Sequence, residues 1–291
     1  MELPQLTPAR PLLALFLTSF LTSCPATGPV GHARDGDVPR PGPTLPASEH
    51  KKAETRALPV AKDLLAAHIE AAGGAEDTPR QLKIEGQISV PDQRLRETFT
   101  MWWRGGQFYL EASAEGIGET RAGYNGEVFW SEDPIYRLRE LEGQEREQQI
   151  RASSLFLVAY WEQHFETAHT IAERTESGIT VYDVKLVSAS GDATTMTFDA
   201  GSKLLTRIRH DLVTPAGTIP FDTTFSDYRS VGGYKLAYRQ DTKTPLVTME
   251  QSYSRVLLDA TVDSAKFEMP GGLDVVPAKP AEAAGDSLQT P

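Results

Sequence analysis

Leu-Lys-Ile-Glu-Gly-Gln-Ile-Ser-Val, residues 82–90, and Leu-Arg-Glu-Thr-Phe-Thr-Met-Trp-Trp, residues 95–103, decide the fold. In both segments apolar side chains keep to alternate positions, which is the repeat of a β-strand with one apolar face. Pro91-Asp92 lies between them and predicts a turn, so the two strands are expected to pair antiparallel. The chain is therefore predicted to build its sheet from strands that are neighbours in sequence.

Turn signals continue this pattern to both sides. Gly105-Gly106 precedes a third strand, and Asn125-Gly126 predicts a hairpin with a tight type I′ turn. Further strands are predicted at residues 178–187, 194–198, 203–212, 218–228, 234–240 and 246–257. Counting all of them gives about eleven strands.

Helical patterns are fewer. Val60, Leu64, Leu65, Ile69 and Ala72 recur at helical spacing, and the Gly73-Gly74 pair that follows is typical of a helix C-terminus. A second segment, within residues 134–169, is rich in Glu, Gln, Arg and Ala and predicts one or two helices. We expect an α+β fold in which the sheet curls around this helical material.

Residues 1–23 are predicted to be a signal peptide that ends in front of Cys24, which is the single cysteine of the chain. Leu21-Thr22-Ser23-Cys24 resembles the bacterial lipobox, whose cysteine carries the lipid anchor. A plain secretory signal that contains a cysteine is the alternative. Pro25 follows the cysteine, and because Asp at this position commonly retains lipoproteins at the inner membrane, the outer membrane facing the periplasm is expected here.

Composition divides the rest of the chain. Residues 24–57 are proline-rich and predict a flexible tether, residues 58–270 predict the folded domain, and residues 271–291 predict a disordered tail. The formal net charge of −11 argues against a nucleic-acid partner. A membrane contact would then depend on the acyl anchor rather than on charge.

Several short motifs resemble the LolA/LolB-like superfamily of bacterial outer-membrane lipoprotein-sorting and carrier proteins. They are Ala72-Gly73-Gly74, the Tyr-Asn-Gly-Glu-Val-Phe-Trp hairpin at 124–130, Phe198-Asp199, Asp-Tyr-Arg-Ser-Val-Gly-Gly at 227–233, and Phe-Glu-Met-Pro at 267–270. The resemblance implies an unclosed β-barrel of about eleven antiparallel strands. It also implies that helices cover a concave apolar face that holds acyl chains.

A hydrophobic ligand is expected to meet the inward side chains of the strands. The candidates are Leu95, Phe99, Met101, Trp103, Phe108, Ile208 and His210. An interior histidine more often hydrogen bonds a neighbour than a ligand, so His210 has two interpretations. Trp102 points away from Trp103, and His68 is expected beside the apolar stripe of the first helix, as a boundary residue rather than a ligand.

Catalytic patterns are weak. His164 and His169 are five residues apart, which turns them off a common helix face and argues against a zinc-protease motif. No nucleophile elbow or phosphate loop occurs in the sequence. We therefore expect neither an enzyme nor a cofactor.

The sequence favours a monomeric, lipid-anchored envelope protein that binds the acyl chains of a lipid or an acylated protein for transfer or reception. The alternative is a tethered module of the same fold that recognises a protein partner or senses envelope stress. An enzyme ranks third.

Overall fold

The computed structural model describes residues 57–74, 79–214 and 217–271. The predicted signal peptide, the Cys24 anchor and almost all of the predicted tether and tail lie outside these residues. The described helices are α1 (Ala61–Ala72) and α2 (Gly143–Ser153). The strands are β1 (Gln81–Val90), β2 (Leu95–Arg104), β3 (Gln107–Ala114), β4 (Gly118–Tyr124), β5 (Phe129–Glu132), β6 (Arg139–Glu140), β7 (Thr167–Glu176), β8 (Ile179–Val187), β9 (Ala193–Asp199), β10 (Leu205–Thr214), β11 (Gly217–Val231), β12 (Tyr234–Lys243) and β13 (Thr248–Leu258).

All described strands form one antiparallel sheet in the order β6-β5-β4-β3-β2-β1-β13-β12-β11-β10-β9-β8-β7. The predicted pairing of the first two strands is confirmed, with Val90 opposite Leu95 and Leu82 opposite Trp103. β1 also pairs with β13, which joins the two halves of the sheet. Among the described residues β6 and β7 do not pair with each other, so the sheet is not closed.

The sheet is strongly curved, because strands from its two halves contribute to one apolar cluster and contact the same helix. β5 and β10 are eight places apart in the sheet, which would put them about 38 Å apart on a flat sheet with the usual spacing of about 4.8 Å. Phe129 of β5 and Leu212 of β10 nevertheless belong to one buried apolar cluster, and α2 contacts both strands. The sheet therefore curls into the predicted unclosed barrel, with the helices on its concave side.

The predicted count of about eleven strands is wrong, because the described sheet has thirteen. β6 has two residues, which is too short to show a period. β7 is an edge strand whose residues are all exposed or half-buried, so it lacks the alternating apolar side chains of a strand with one buried face. The apolar period that reveals a strand is absent where the sheet has little to bury.

The Asn125-Gly126 hairpin is confirmed, but its turn type is not. Tyr124 pairs with Phe129, so the loop has four residues rather than two. A type I′ turn requires positive φ at both central residues. Gly126 has a φ of 107°, but Asn125 is not among the residues with positive φ. Instead the Asn125 side chain accepts hydrogen bonds from the backbone N–H groups of Glu127 and Val128, both at 2.8 Å.

The convex face carries two kinds of cover. On β7 to β11 it is polar, and Asp183 accepts hydrogen bonds from Arg174 and Thr197 while pairing with Arg209 at 3.3 Å. Arg207 forms an ion pair with Asp222 on the same face, and Arg239 of β12 forms one with Glu250. On β2 to β5 the convex face is aromatic and is covered by residues 262–269.

Trp102 belongs to this aromatic cover. It is 7% exposed, and the ammonium group of Lys266 lies 4.5 Å from its ring. Nearby, Trp130 Nε1 donates a hydrogen bond of 3.0 Å to the carbonyl of Phe267, which is fully buried. Trp102 therefore packs beneath the C-terminal segment, whereas Trp103 packs on the concave side.

Candidate functional site

The concave side of the sheet encloses a cavity of about 340 Å³. Strands of both halves line it, and α2 with residues 154–158 forms its roof. The cavity reaches the surface beside Ala152, Asp211 and Lys235, which are exposed. Ligand pockets in proteins have volumes of roughly 300–1,000 Å³, so this cavity is large enough for a small ligand.

The two sides of the cavity differ in chemistry. The wall formed by β1 to β5 is apolar, and its side chains are Ile88, Phe99, Met101, Phe108, Leu110 and Phe129. These side chains alternate with outward ones along their strands and belong to the largest buried apolar cluster. Gly86 keeps this wall compact, since a Cβ there would lie 2.5 Å from the Phe99 ring.

The opposite wall mixes apolar side chains with polar ones. Its uncharged polar side chains include His210, Thr223, Gln240, Thr242, Gln251 and Tyr253, and the wall also includes Asp211 and Lys235. Several of them bond to each other: the hydroxyls of Thr223 and Thr242 are 2.9 Å apart, and Gln240 Nε2 donates to the Tyr253 hydroxyl at 2.8 Å. Burial raises the pKa of Tyr253 to about 12, so its hydroxyl stays protonated. The cavity is thus amphipathic across its width.

The roof helix α2 is held at the cavity rim by polar contacts. Asp192, in the turn between β8 and β9, accepts hydrogen bonds from Gln144 and Gln148 and forms an ion pair with Arg151. The side chains of Arg151 and Asp192 are each only 11% exposed. Gln148 also accepts a hydrogen bond of 2.6 Å from the Val213 N–H of β10. Asp192 is therefore the residue on which the attachment of α2 converges.

α1 covers the other end of the concave face. His68 was expected at the boundary of the apolar stripe of α1, but it is buried at 5% exposure, so that expectation is wrong. Its Nδ1 lies 3.1 Å from both the Leu205 N–H and the Lys203 carbonyl oxygen, and the tautomer decides which one it bonds. Burial lowers the pKa of His68 to about 4, so the imidazole is neutral at pH 7. The residue attaches α1 to the start of β10.

His210 lies on β10 with its ring stacked on Phe221 at 5.5 Å. Its Nδ1 is buried without a hydrogen-bond partner among the described residues, and whether the histidine serves a neighbour or a ligand stays a prediction. Burial, with a smaller contribution from Arg151, lowers the pKa of His210 to about 4. A neutral imidazole with an unused nitrogen therefore faces the cavity.

The structure brings five of the seven predicted ligand candidates to the cavity: Phe99, Met101, Phe108, Ile208 and His210. Leu95 packs beside the apolar cluster without lining the cavity. Trp103 packs edge to face on Phe156, with the ring centres 4.9 Å apart, and is not a lining residue either. Whether the five contact a ligand stays a prediction.

Sequence reasoning missed Glu97, the inward residue between Leu95 and Phe99. It pairs across the sheet with Ile88 and Ala114, is 2% exposed, and its Oε2 has no hydrogen-bond partner among the described residues. Burial raises the pKa of Glu97 to about 8. The alternation of β2 was a sufficient signal, because it puts residue 97 on the apolar face.

The described part of the chain contains neither a metal-site cluster nor a membrane-spanning helix. No group of three or more His, Cys, Asp and Glu side chains is placed to hold a metal ion within residues 57–74, 79–214 and 217–271. Within the same residues, neither helix is long and apolar enough to span a membrane.

Comparison with solved structures identifies the fold. A DUF1329 family protein from Desulfovibrio piger matches with a TM-score of 0.51 at 13% identity, over 72% of this chain and 97% of that one. A LolA superfamily protein from Nitrosomonas europaea matches with a TM-score of 0.51 at 10% identity, over 72% of this chain and 99% of that one. The described residues therefore have a LolA-like fold, as the sequence resemblance implies.

Sequence comparisons add nothing to this structural match. No protein-family model matches the chain, and no curated protein matches it. At 10–13% identity the two structures show a shared fold, which does not by itself show a shared function.

Proposed function

We propose that this protein binds the acyl chains of a lipid or an acylated protein in its internal cavity, for transfer or reception at the outer membrane. The observation that carries the proposal is the cavity of about 340 Å³ with an apolar wall on β1 to β5. Each methylene group that moves from water to such a wall contributes about 0.8 kcal/mol. The protein would then act as a carrier or receptor, making and breaking no covalent bond.

The α2 part of the roof supports this role, because polar side-chain contacts attach it to the turn between β8 and β9. α2 is attached through side-chain hydrogen bonds and an ion pair at Asp192, whereas its buried residues are Gln148 and Gln149. Breaking such contacts exposes polar groups that water can satisfy, so opening costs less than separating an apolar interface. An acyl chain would enter when α2 moves away from the turn between β8 and β9.

Lipid extraction and cavity filling test the proposal. Protein purified from a bacterial envelope should carry co-purifying lipid in mass spectrometry and should bind a fluorescent fatty acid. Ile208→Trp fills the cavity and should abolish probe binding. Ile171→Trp is the matched control, because Ile171 is 50% exposed on β7. Probe binding by Ile208→Trp equal to that of the control would contradict the cavity as the site.

A tethered module that recognises a protein is the second candidate. The observation in its favour is the edge strand β7, which among the described strands pairs with β8 alone and which exposes Ile171. Its ten residues offer backbone groups to which another strand could bond. If the purified protein carries no lipid and accepts no fatty acid, and Ile171→Lys abolishes partner binding, this function replaces the carrier.

The anchor is part of the proposal and rests on Leu21-Thr22-Ser23-Cys24. A Cys24→Ala variant should lose incorporation of labelled palmitate and leave the membrane fraction, with Cys24→Ser as a second variant. Continued membrane association of the unlabelled variants would overturn the anchor while leaving the cavity proposal intact.

A further inference from the structure

His210 presents an unused hydrogen-bonding nitrogen to an otherwise satisfied cavity wall. Its Nδ1 has no partner among the described residues, while its ring is held parallel to Phe221 at an angle of 18°. A buried polar group without a partner costs roughly 1–3 kcal/mol. Native interiors seldom retain such a group unless a water, an ion or a ligand satisfies it.

The protonation state of His210 limits which partner fits. Because burial and Arg151 lower its pKa to about 4, the ring is neutral at pH 7 and carries one N–H and one lone pair. Depending on the tautomer, Nδ1 donates to a carbonyl or accepts from a hydroxyl. It supplies no positive charge for a carboxylate or phosphate.

The neighbouring groups also disfavour a charged ligand group. Arg151, the cation that acts on His210, is already paired with Asp192 at the rim. Thr223 and Gln240 of this wall are uncharged and bond within it, Asp211 is acidic, and the Lys235 ammonium group donates to the Ala71 carbonyl oxygen. An anion brought to His210 would lose its hydration without gaining an uncommitted cation, which is costly in a buried site.

We propose that His210 hydrogen bonds an uncharged polar group, a hydroxyl or an ester, of an amphiphile whose chain lies along the apolar wall of β1 to β5. This inference rests on the proposed function, because it assumes that the cavity holds an acyl chain. It adds selectivity, since the cavity would distinguish a neutral amphiphile from a hydrocarbon and from an ionised fatty acid.

Competition binding tests the inference with three probes that share a twelve-carbon chain: 1-monolauroylglycerol, dodecane and laurate. Each competes with a fluorescent fatty acid for the full-length protein at pH 7.5. The wild-type protein should prefer monolauroylglycerol to both other probes. His210→Phe keeps the ring stacked on Phe221 but removes the nitrogen, and should weaken monolauroylglycerol binding roughly five- to tenfold without weakening dodecane.

Two further variants complete the experiment. His210→Gln retains a donor and an acceptor and should keep most of the preference for monolauroylglycerol. Met249→Leu alters an apolar lining residue and should leave the ratio of the monolauroylglycerol and dodecane affinities unchanged. If His210→Phe binds all three probes as the wild type does, or if wild-type protein prefers laurate, the inference fails and the carrier function stands. If the wild-type protein binds none of the probes, both fail.

Discussion

Gly73 at the end of α1 lies directly against the backbone of Gly233 in the turn between β11 and β12. A Cβ on residue 73 would stand 2.2 Å from the Gly233 carbonyl oxygen, far inside contact distance. Gly73 has a φ of 123°, and hydrogen bonds from Gly73 N–H to Glu70 O and from Gly74 N–H to Ile69 O close the helix in a Schellman motif. Two of the motifs that carry the family resemblance thus meet in space.

Gly73→Ala should therefore destabilise the protein by more than its backbone angle alone explains. Gly217→Ala is the matched control, because Gly217 also has a φ of 123° and nothing within 4 Å of an added Cβ. The control should lose about 1–3 kcal/mol of unfolding free energy for its backbone angle, and Gly73→Ala roughly twice that. Urea unfolding measures both, and equal losses would contradict a steric role for the contact.

Glu97→Gln should stabilise the protein increasingly as the pH rises. The pKa of Glu97 is raised from 4.5 to about 8 in the folded protein, so its burial costs little below pH 4.5 and progressively more toward pH 8. We expect the variant to gain roughly 1–3 kcal/mol over wild type at pH 8.5 and almost nothing at pH 4. Thermal or urea unfolding across this pH range measures the difference.

Glu85→Gln supplies a control of opposite sign. A hydrogen bond from Lys83 lowers the pKa of this exposed carboxyl, so Glu85 stabilises the fold above its ordinary pKa and loses that contribution as the pH falls. The Gln variant should be slightly less stable than wild type at neutral pH and equal to it at low pH. If the stability difference from wild type changed with pH in the same direction for both variants, the opposite pKa shifts of Glu97 and Glu85 would be contradicted.

Asp192→Ala should loosen α2, because it leaves the buried guanidinium of Arg151 without its partner and removes an acceptor from Gln148. Amide hydrogen exchange in residues 143–153 should accelerate roughly tenfold or more. A fluorescent fatty acid should also associate and dissociate faster in stopped-flow experiments. Glu250→Ala, which removes a partner of Arg239 at a pair that is 46% and 41% exposed, should change neither rate.

Phe267→Ala should cost about 3–4 kcal/mol of stability, since the ring is fully buried between the convex face and Arg104, whose guanidinium lies 4.6 Å from it. Trp102 and Trp130 would gain contact with water, so the tryptophan emission maximum should shift to longer wavelength. Met269→Ala, at a half-buried position of the same segment, should cost less than half as much. An unshifted emission maximum in Phe267→Ala would contradict the claim that Phe267 shields Trp102 and Trp130 from water.

The sequence predicted elements well where one face of a strand or helix is clearly apolar. β1, β2 and α1 follow from their periods, and the Gly73-Gly74 stop follows from its φ requirement. β7 escaped prediction because an edge strand buries little and need not alternate. The periodicity of apolar residues thus reveals a strand or helix more clearly when that element buries more apolar area.

The site was less predictable, for a different reason. The apolar candidates Phe99, Met101 and Phe108 were found by alternation, which cannot separate a cavity wall from a packed core. Thr223 and Gln240 were not among the candidates, because polar residues in an alternating strand usually mark its solvated face, whereas these two line the cavity. The unused nitrogen of His210 depends on the positions of α2 and Phe221 together.

The junction between β1 and β13 sets the order in which this sheet can be completed. Leu82 of β1 pairs with Leu258 of β13, so β1 can complete its pairing only after β13, the last strand, has been synthesised. At about 5–20 residues per second this delay is on the order of ten seconds, during which β1 to β6 present an unpaired edge. A chain truncated before β13 would lose the strand that joins the two halves of the sheet, not a strand at its edge. The unpaired edge of β1 would then stay exposed and would promote aggregation.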